Sequence, residues 1–120
     1  MGKASREKGA RGERRCCDWL ASLGMAARRV GPLESGKYGK TAGWDVEAGD
    51  RHPRWRIQAK EVARRCDSIP RLLEKAQMAF VHFTHGPLRG KSIVVVDADD
   101  LGVLARELEM LKAAGGGDGG

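Results

Sequence analysis

Two short runs, Gly43-Trp44-Asp45-Val46-Glu47 and Arg54-Trp55-Arg56-Ile57-Gln58-Ala59-Lys60, decide how this chain folds. Each alternates large apolar with polar residues, the period of a β-strand. Gly49-Asp50-Arg51-His52-Pro53 lies between them as a turn, so the pair reads as a hairpin. In a first strand over 42–48, Trp44 and Val46 face one side, and Asp45 and Glu47 the other. In the second, Trp55, Ile57 and Ala59 oppose Arg56, Gln58 and Lys60. A row of polar side chains along one face fits either a solvated surface or a pocket, and alternation alone leaves both open.

The surroundings bear on that choice. With 120 residues the chain is one domain with a single core. Residues 1–112 are the expected domain, and the glycine-rich 113–120 a disordered tail. No apolar run approaches the roughly 20 residues of a membrane helix, and the basic N-terminus lacks an apolar signal core, which predicts an intracellular protein. Three cysteines, Cys16, Cys17 and Cys66, make neither a disulfide framework nor a C-x-x-C metal site. The 22 basic residues outnumber 16 acidic ones for a net charge of +6, which suits a polyanionic partner.

A helix is expected to start with Ser5 as N-cap, although Gly9 and Gly12 weaken its first turns. Cys16, Cys17, Leu20 and Leu23 form its buried stripe, and Gly24 closes it. Glu13 lies three, four and seven positions ahead of Cys16, Cys17 and Leu20, in line with that stripe. It is either a first-turn acid favoured by the helix dipole or a carboxylate aimed at the strands. Residues 25–30 read as a strand and 31–41 as a cationic loop carrying Ser35, Lys37 and Lys40. Ser68 and Pro70 open a second helix with Ile69, Leu72, Leu73 and Ala76 as its apolar side. Met78 to Phe83 (MAFVHF) is a strand. Ser92 to Val96 (SIVVV), almost wholly apolar, is predicted to be central in the sheet. Asp97 to Asp100 cap a third helix striped by Leu101, Leu104, Leu108 and Leu111. The order αβββαββα predicts an α/β fold, a mixed central sheet flanked by helices.

Asp45 and Glu13 offer carboxylates, Gln58 an amide oxygen and Ala59 a backbone carbonyl, all hard donors suited to Mg²⁺. Lys60 shares the face of Gln58 and can orient a water or stabilise charge on a phosphate. His82 and His85 fall on opposite sides of a strand end with no third ligand, and Asp97, Asp99 and Asp100 fit a helix cap better than Ca²⁺.

Glu13 on the first helix, then Gly43-Trp44-Asp45-Val46, then Ile57-Gln58-Ala59-Lys60 resembles the PD-(D/E)xK nuclease superfamily. Within it the chain is similar to the archaeal and phage-type Holliday junction resolvases, from about Arg11 to Leu108. The resemblance implies a restriction-endonuclease-like core and a cytoplasmic, phage-type homodimer that cuts four-way DNA junctions with Mg²⁺, or Mn²⁺ in its place. It implies catalytic roles for Glu13, Asp45, Gln58 and Lys60, with metal held by Glu13, Asp45, Gln58 and the Ala59 carbonyl. Phosphates would fall to Arg6, Arg11, Arg28, Arg29, Lys37, Lys40 and Arg64, with a contribution from Ser35. The apolar side of MAFVHF or of the third helix is the expected dimer interface. There are two departures: Trp44 stands where the name-giving proline would, and Gln58 replaces an acid, removing one negative charge. A nuclease-fold DNA-binding protein impaired in catalysis, or a related nuclease with other DNA substrates, are the alternatives.

Overall fold

The computed structural model describes residues 3–30, 44–49 and 55–119. Its elements are α1 (Lys3–Ser22), β1 (Ala27–Arg29), β2 (Val46–Ala48), β3 (Trp55–Val62), α2 (Ile69–Leu72), β4 (Met78–Phe83), β5 (Ser92–Val96) and α3 (Ala98–Gly119). The strands form one sheet in the order β1-β2-β3-β4-β5. All neighbours are antiparallel except β3 and β4, which run parallel. The chain is thus α/β, a mixed five-stranded sheet flanked by helices. No helix among the described residues is long and apolar enough to cross a membrane.

The hydrophobic stripe places α1. Cys16 and Leu20 are fully buried against Ile57, Ala59, Met78 and Phe80 on one face of the sheet. Gly24, at φ +84°, ends the helix as expected. The Met25 N–H donates to the Leu20 carbonyl (3.0 Å) and the Gly24 N–H to the Ala21 carbonyl (2.9 Å), the paired bonds of a Schellman stop. Leu20 and Met25 then share the same core cluster. The start differs from expectation: α1 begins at Lys3, so Ser5 lies inside it rather than at the cap.

α3 packs on the same face through Leu104, Leu108 and Leu111, and the Trp55 indole N–H donates to the Glu107 carboxylate. Asp97 caps it, accepting from the Asp99 N–H at 2.9 Å. Leu101, expected in the stripe, is instead exposed. The helix also runs through the glycine-rich stretch to Gly119, where an unpacked tail was expected. The opposite face of the sheet is covered by the turn of α2, with Leu72 packed on Ala79, Val81 and Phe83. α2 is shorter than predicted, and Ile69 is exposed rather than part of its apolar side.

The central position expected of SIVVV belongs instead to MAFVHF. β4 (MAFVHF) is buried at every residue and lies between β3 and β5. β5 (SIVVV) is the last strand of the described sheet, exposed to half-buried along its length. An unbroken apolar run is expected to be covered on both faces, but β5 is not, since composition does not say what lies beside or over a strand. β4, whose apolar side was one of the two expected dimer interfaces, has its side chains buried within the described sheet.

Candidate active site

The site lies where β2 and β3 come apart. The two strands pair Ala48 with Trp55, Glu47 with Arg56 and Val46 with Ile57. At Asp45 the register slips by one, because the Asp45 N–H donates to the carbonyl of Ile57 (2.9 Å), the residue already opposite Val46. Two residues of β2 facing one of β3 is the count of a β-bulge, a device that re-aims side chains.

The slip changes the facing of two side chains. Trp44, expected beside Val46, stands on the polar face. Its indole N–H donates to Glu47 (3.1 Å), and the Arg56 guanidinium lies 4.6 Å from the centre of its ring. Asp45, expected beside Glu47, comes to the α1 side, where it and Glu13 both act on the buried Cys16 thiol. That thiol is pushed up to about 12, first by burial and then by its charged neighbours. A one-residue slip exchanges the faces of a strand.

The Asp45 carboxylate then stands in for the missing strand. Its Oδ2 accepts from the Ala59 N–H at 3.1 Å, a donor that a continuing β2 ladder would otherwise have paired. The N–H and C=O of one residue in an extended strand point the same way, so the Ala59 carbonyl is directed into the same gap. Burial raises the Asp45 pKa and the neighbouring Glu13 carboxylate raises it further, while the Ala59 N–H and the Lys60 ammonium pull it down. Burial is the largest of these influences, so the site holds negative charge at a cost in solvation.

Glu13 arrives from α1 at a spot fixed by its neighbour Gly12. A Cβ at Gly12 would lie 3.2 Å from Lys60 C and Glu61 N, so the helix backbone rests almost directly on β3. Arg29 of β1 donates to Glu13 Oε1 at 2.8 Å. Gln58 and Lys60 are half-buried on the other face of β3, with Ala79 and Val81 as their β4 partners. Lys60 Nζ is ion-paired with Asp67 in the segment after β3. The structure therefore brings Glu13, Asp45 and the Ala59 backbone to one seam on the α1 side, while Lys60 stands on the opposite face of β3, near enough to act on Asp45 electrostatically. Gln58 flanks that seam, and the direct contact of Asp45 is with backbone rather than with the Gln58 amide.

Of the expected phosphate-binding residues, Ser35, Lys37 and Lys40 lie outside the described residues. Arg6 is on the early turns of α1, and Arg64 is exposed just beyond β3. Arg11, Arg28 and Arg29 have intramolecular acids, Glu61, Glu47 and Glu13 respectively, each at 2.8 Å. Each nevertheless keeps between 44% and 48% of its side chain exposed.

Sequence reasoning passed over Asp67 and Glu61. Glu61 is buried on the α1 face of β3, bonded to Arg11 and 4.0 Å from Arg15. Both signals were in the chain: an acid continuing the apolar series Trp55, Ile57, Ala59, and arginines one helical turn apart above it. His82, also buried, pairs through Nδ1 with Ser92 Oγ at 2.8 Å, and His85 pairs with Thr84. Among the described residues no three His, Cys, Asp or Glu side chains converge. The expected donor set contains two carboxylates, an amide and a carbonyl, so it is not of that type. Compared with family models, curated proteins and solved structures, the chain matches none.

Proposed function

We propose that the protein is a metal-dependent DNA endonuclease with a restriction-endonuclease-like core, acting on four-way junctions as a homodimer. The observation that carries this reading is the Asp45 carboxylate. It is desolvated at a strand bulge, anchored on the Ala59 N–H, and flanked by Glu13 and Lys60.

A half-buried carboxylate raised by desolvation and by a second carboxylate is an environment that a divalent cation relieves. The carboxylate, amide and carbonyl groups expected to bind the metal all offer oxygen, the donor Mg²⁺ prefers. Glu13, Asp45, the Gln58 amide and the Ala59 carbonyl would hold the ion. When bound, it supplies charge neutralisation on the phosphate and a more acidic water. The chain's own groups do the rest. Asp45 is fixed by a backbone bond and so presents its second oxygen in a defined direction. Lys60 is placed to stabilise charge on the phosphate or to orient the attacking water, once it exchanges Asp67 for substrate. Arg29 holds Glu13 in position until it is needed as a ligand. Hydrolysis forms a bond from water oxygen to phosphorus and breaks the bond to one ester oxygen, and both strands of a junction need a site. Two copies are therefore required, related by a two-fold axis.

Gln58 favours a second reading. An amide in place of an acid lowers the charge drawing in the metal, as expected in a protein that binds junctions without cutting them. One experiment separates the readings: a labelled four-way junction with Mg²⁺, comparing wild type with Asp45→Asn and Lys60→Ala. The expected outcome is cleavage by wild type and a loss of about 100-fold or more in each variant. Junction binding that survives EDTA with no cleavage in Mg²⁺ or Mn²⁺ would establish the second reading. Cleavage unchanged by Asp45→Asn would remove the first.

A further inference from the structure

The end of the sheet where β3 and β4 finish gathers cations from separate segments. Arg64 and Arg65 follow β3, and Arg89 and Lys91 lie on the turn into β5, all exposed. Backbone bonds hold these segments together. The Thr84 N–H donates to the Val62 carbonyl (2.9 Å), the His85 N–H to Ala63 (3.0 Å) and the Gly90 N–H to Phe83 (2.8 Å). The Arg64 stem packs on Gly86, where a Cβ would lie 3.2 Å from its Cγ. The acids at this end are already engaged, Glu61 by Arg11 and Arg15 and Asp67 by Lys60. Among the described residues Arg64, Arg65, Arg89 and Lys91 have no ion-pair partner.

We infer that this cationic end grips the phosphate backbone of a DNA duplex arm beside the seam at Asp45. Guanidinium forks match phosphate oxygens. Phe83, the one Phe, Tyr or Trp among the described residues of this end, is buried, which leaves the His85 imidazole as its sole stacking ring and favours a duplex over a single strand. Contacts of this kind position a duplex without reading its sequence. Arg64 lies five residues beyond Ala59, at most about 17 Å along an extended strand. At 3.4 Å per base-pair step the grip falls within about five base pairs of the cut.

This rests on the reading of the chain as a DNA-cleaving enzyme, so the test measures binding apart from cleavage. Anisotropy of a labelled duplex and a labelled junction is followed in EDTA across about 50–200 mM salt. The proteins are wild type, the combined variant R64Q/R65Q/R89Q/K91Q and the control Lys75→Gln, with circular dichroism confirming that each is folded. The combined variant is expected to show a log–log salt slope shallower by about 3.6, near 0.9 for each of the four lost contacts, while Lys75→Gln keeps that of wild type. A steep wild-type slope unchanged in the combined variant overturns this surface and leaves the nuclease reading standing. Wild type that binds phosphatidylserine vesicles but neither DNA overturns both.

Discussion

A Cβ built on Gly9 meets nothing within 4 Å, whereas one on Gly12 would press on the β3 backbone at Lys60 and Glu61. Both glycines cost the helix the same propensity, about 1 kcal/mol each relative to alanine. Gly9→Ala should recover that energy and raise Tm by about 4 °C. Gly12→Ala gains the same propensity but must push α1 off β3 by a few tenths of an ångström, carrying Glu13 with it. Its Tm should not rise, and junction cleavage should drop about tenfold, since catalysis is sensitive to sub-ångström misplacement. Thermal melts beside cleavage rates check this, and an equal rise in Tm for both variants with unaltered cleavage would remove the packing role of Gly12. In the sequence the two glycines are indistinguishable helix weakeners, because what separates them is a strand some 50 residues away. Asp45 is similar: alternation and spacing single it out as a candidate, but the bulge that turns it toward Glu13 was not legible. Alternation assumes an unbroken ladder, and a bulge breaks that assumption without leaving a mark in residue type.

α1 is fastened to the sheet at two places, a hydrophobic one at Cys16 and Leu20 and a polar one at its N-terminal half. The polar fastening runs from Arg11 and Arg15 to Glu61, and laterally to His82 and Ser92. The bond from Arg11 holds the Glu61 carboxyl below its usual range. Burial, and then the nearby Arg15, lower His82, with Glu61 opposing them. A lowered acid stabilises the fold above its unfolded pKa of 4.5, and that contribution is lost as pH falls through the folded value. A lowered histidine behaves likewise, its contribution being complete above 6.5 and lost as the unfolded chain takes up the proton below that. Asp45 acts in the opposite sense, since its raised pKa costs stability at high pH and the cost is relieved on acidification. Tm should therefore fall in two steps, one beginning near pH 6.5 and one below about 4.5. In His82→Asn, whose amide can reach the place of Nδ1, the upper step should vanish and the lower remain. A wild-type Tm constant from pH 7 to 5.5 would contradict this. Element identities were largely legible because each stripe is local: Gly24 as a stop, Asp97 as a cap, β3 as an alternating strand. Neighbour relations were not. SIVVV and MAFVHF are both apolar runs, and only the parallel pairing with β3 decides which of them is internal.

At the scale of the whole molecule, apolar surface remains unspent on the β5 and α3 side. Leu101, Val103 and Met110 of α3 are about half exposed, and Ile93 of β5 is 38% exposed. β5 is also the last strand of the described sheet, and an edge strand of this composition tends to pair with another chain unless it is covered. The proposed function needs two copies with their Asp45 seams addressing two DNA strands. Pairing β5 with its symmetry mate across a two-fold axis would extend the sheet and set the two α3 helices beside each other. It would leave the Arg64–Lys91 end free for DNA. Such a pairing would use the third helix, while MAFVHF stays buried within the sheet. The protein should therefore sediment at twice its 13.0 kDa chain mass. The double substitution Leu101→Glu and Met110→Glu should convert it to the single-chain mass without unfolding it, since both side chains are solvent-facing. In that monomer the seam and the cationic end are intact, so junctions should still be nicked on one strand, while paired cuts within one binding event fall by about tenfold or more, as expected when the second site is no longer held at high effective concentration. Wild type at the single-chain mass at tens of micromolar, or a charged variant that remains dimeric, would place the interface elsewhere.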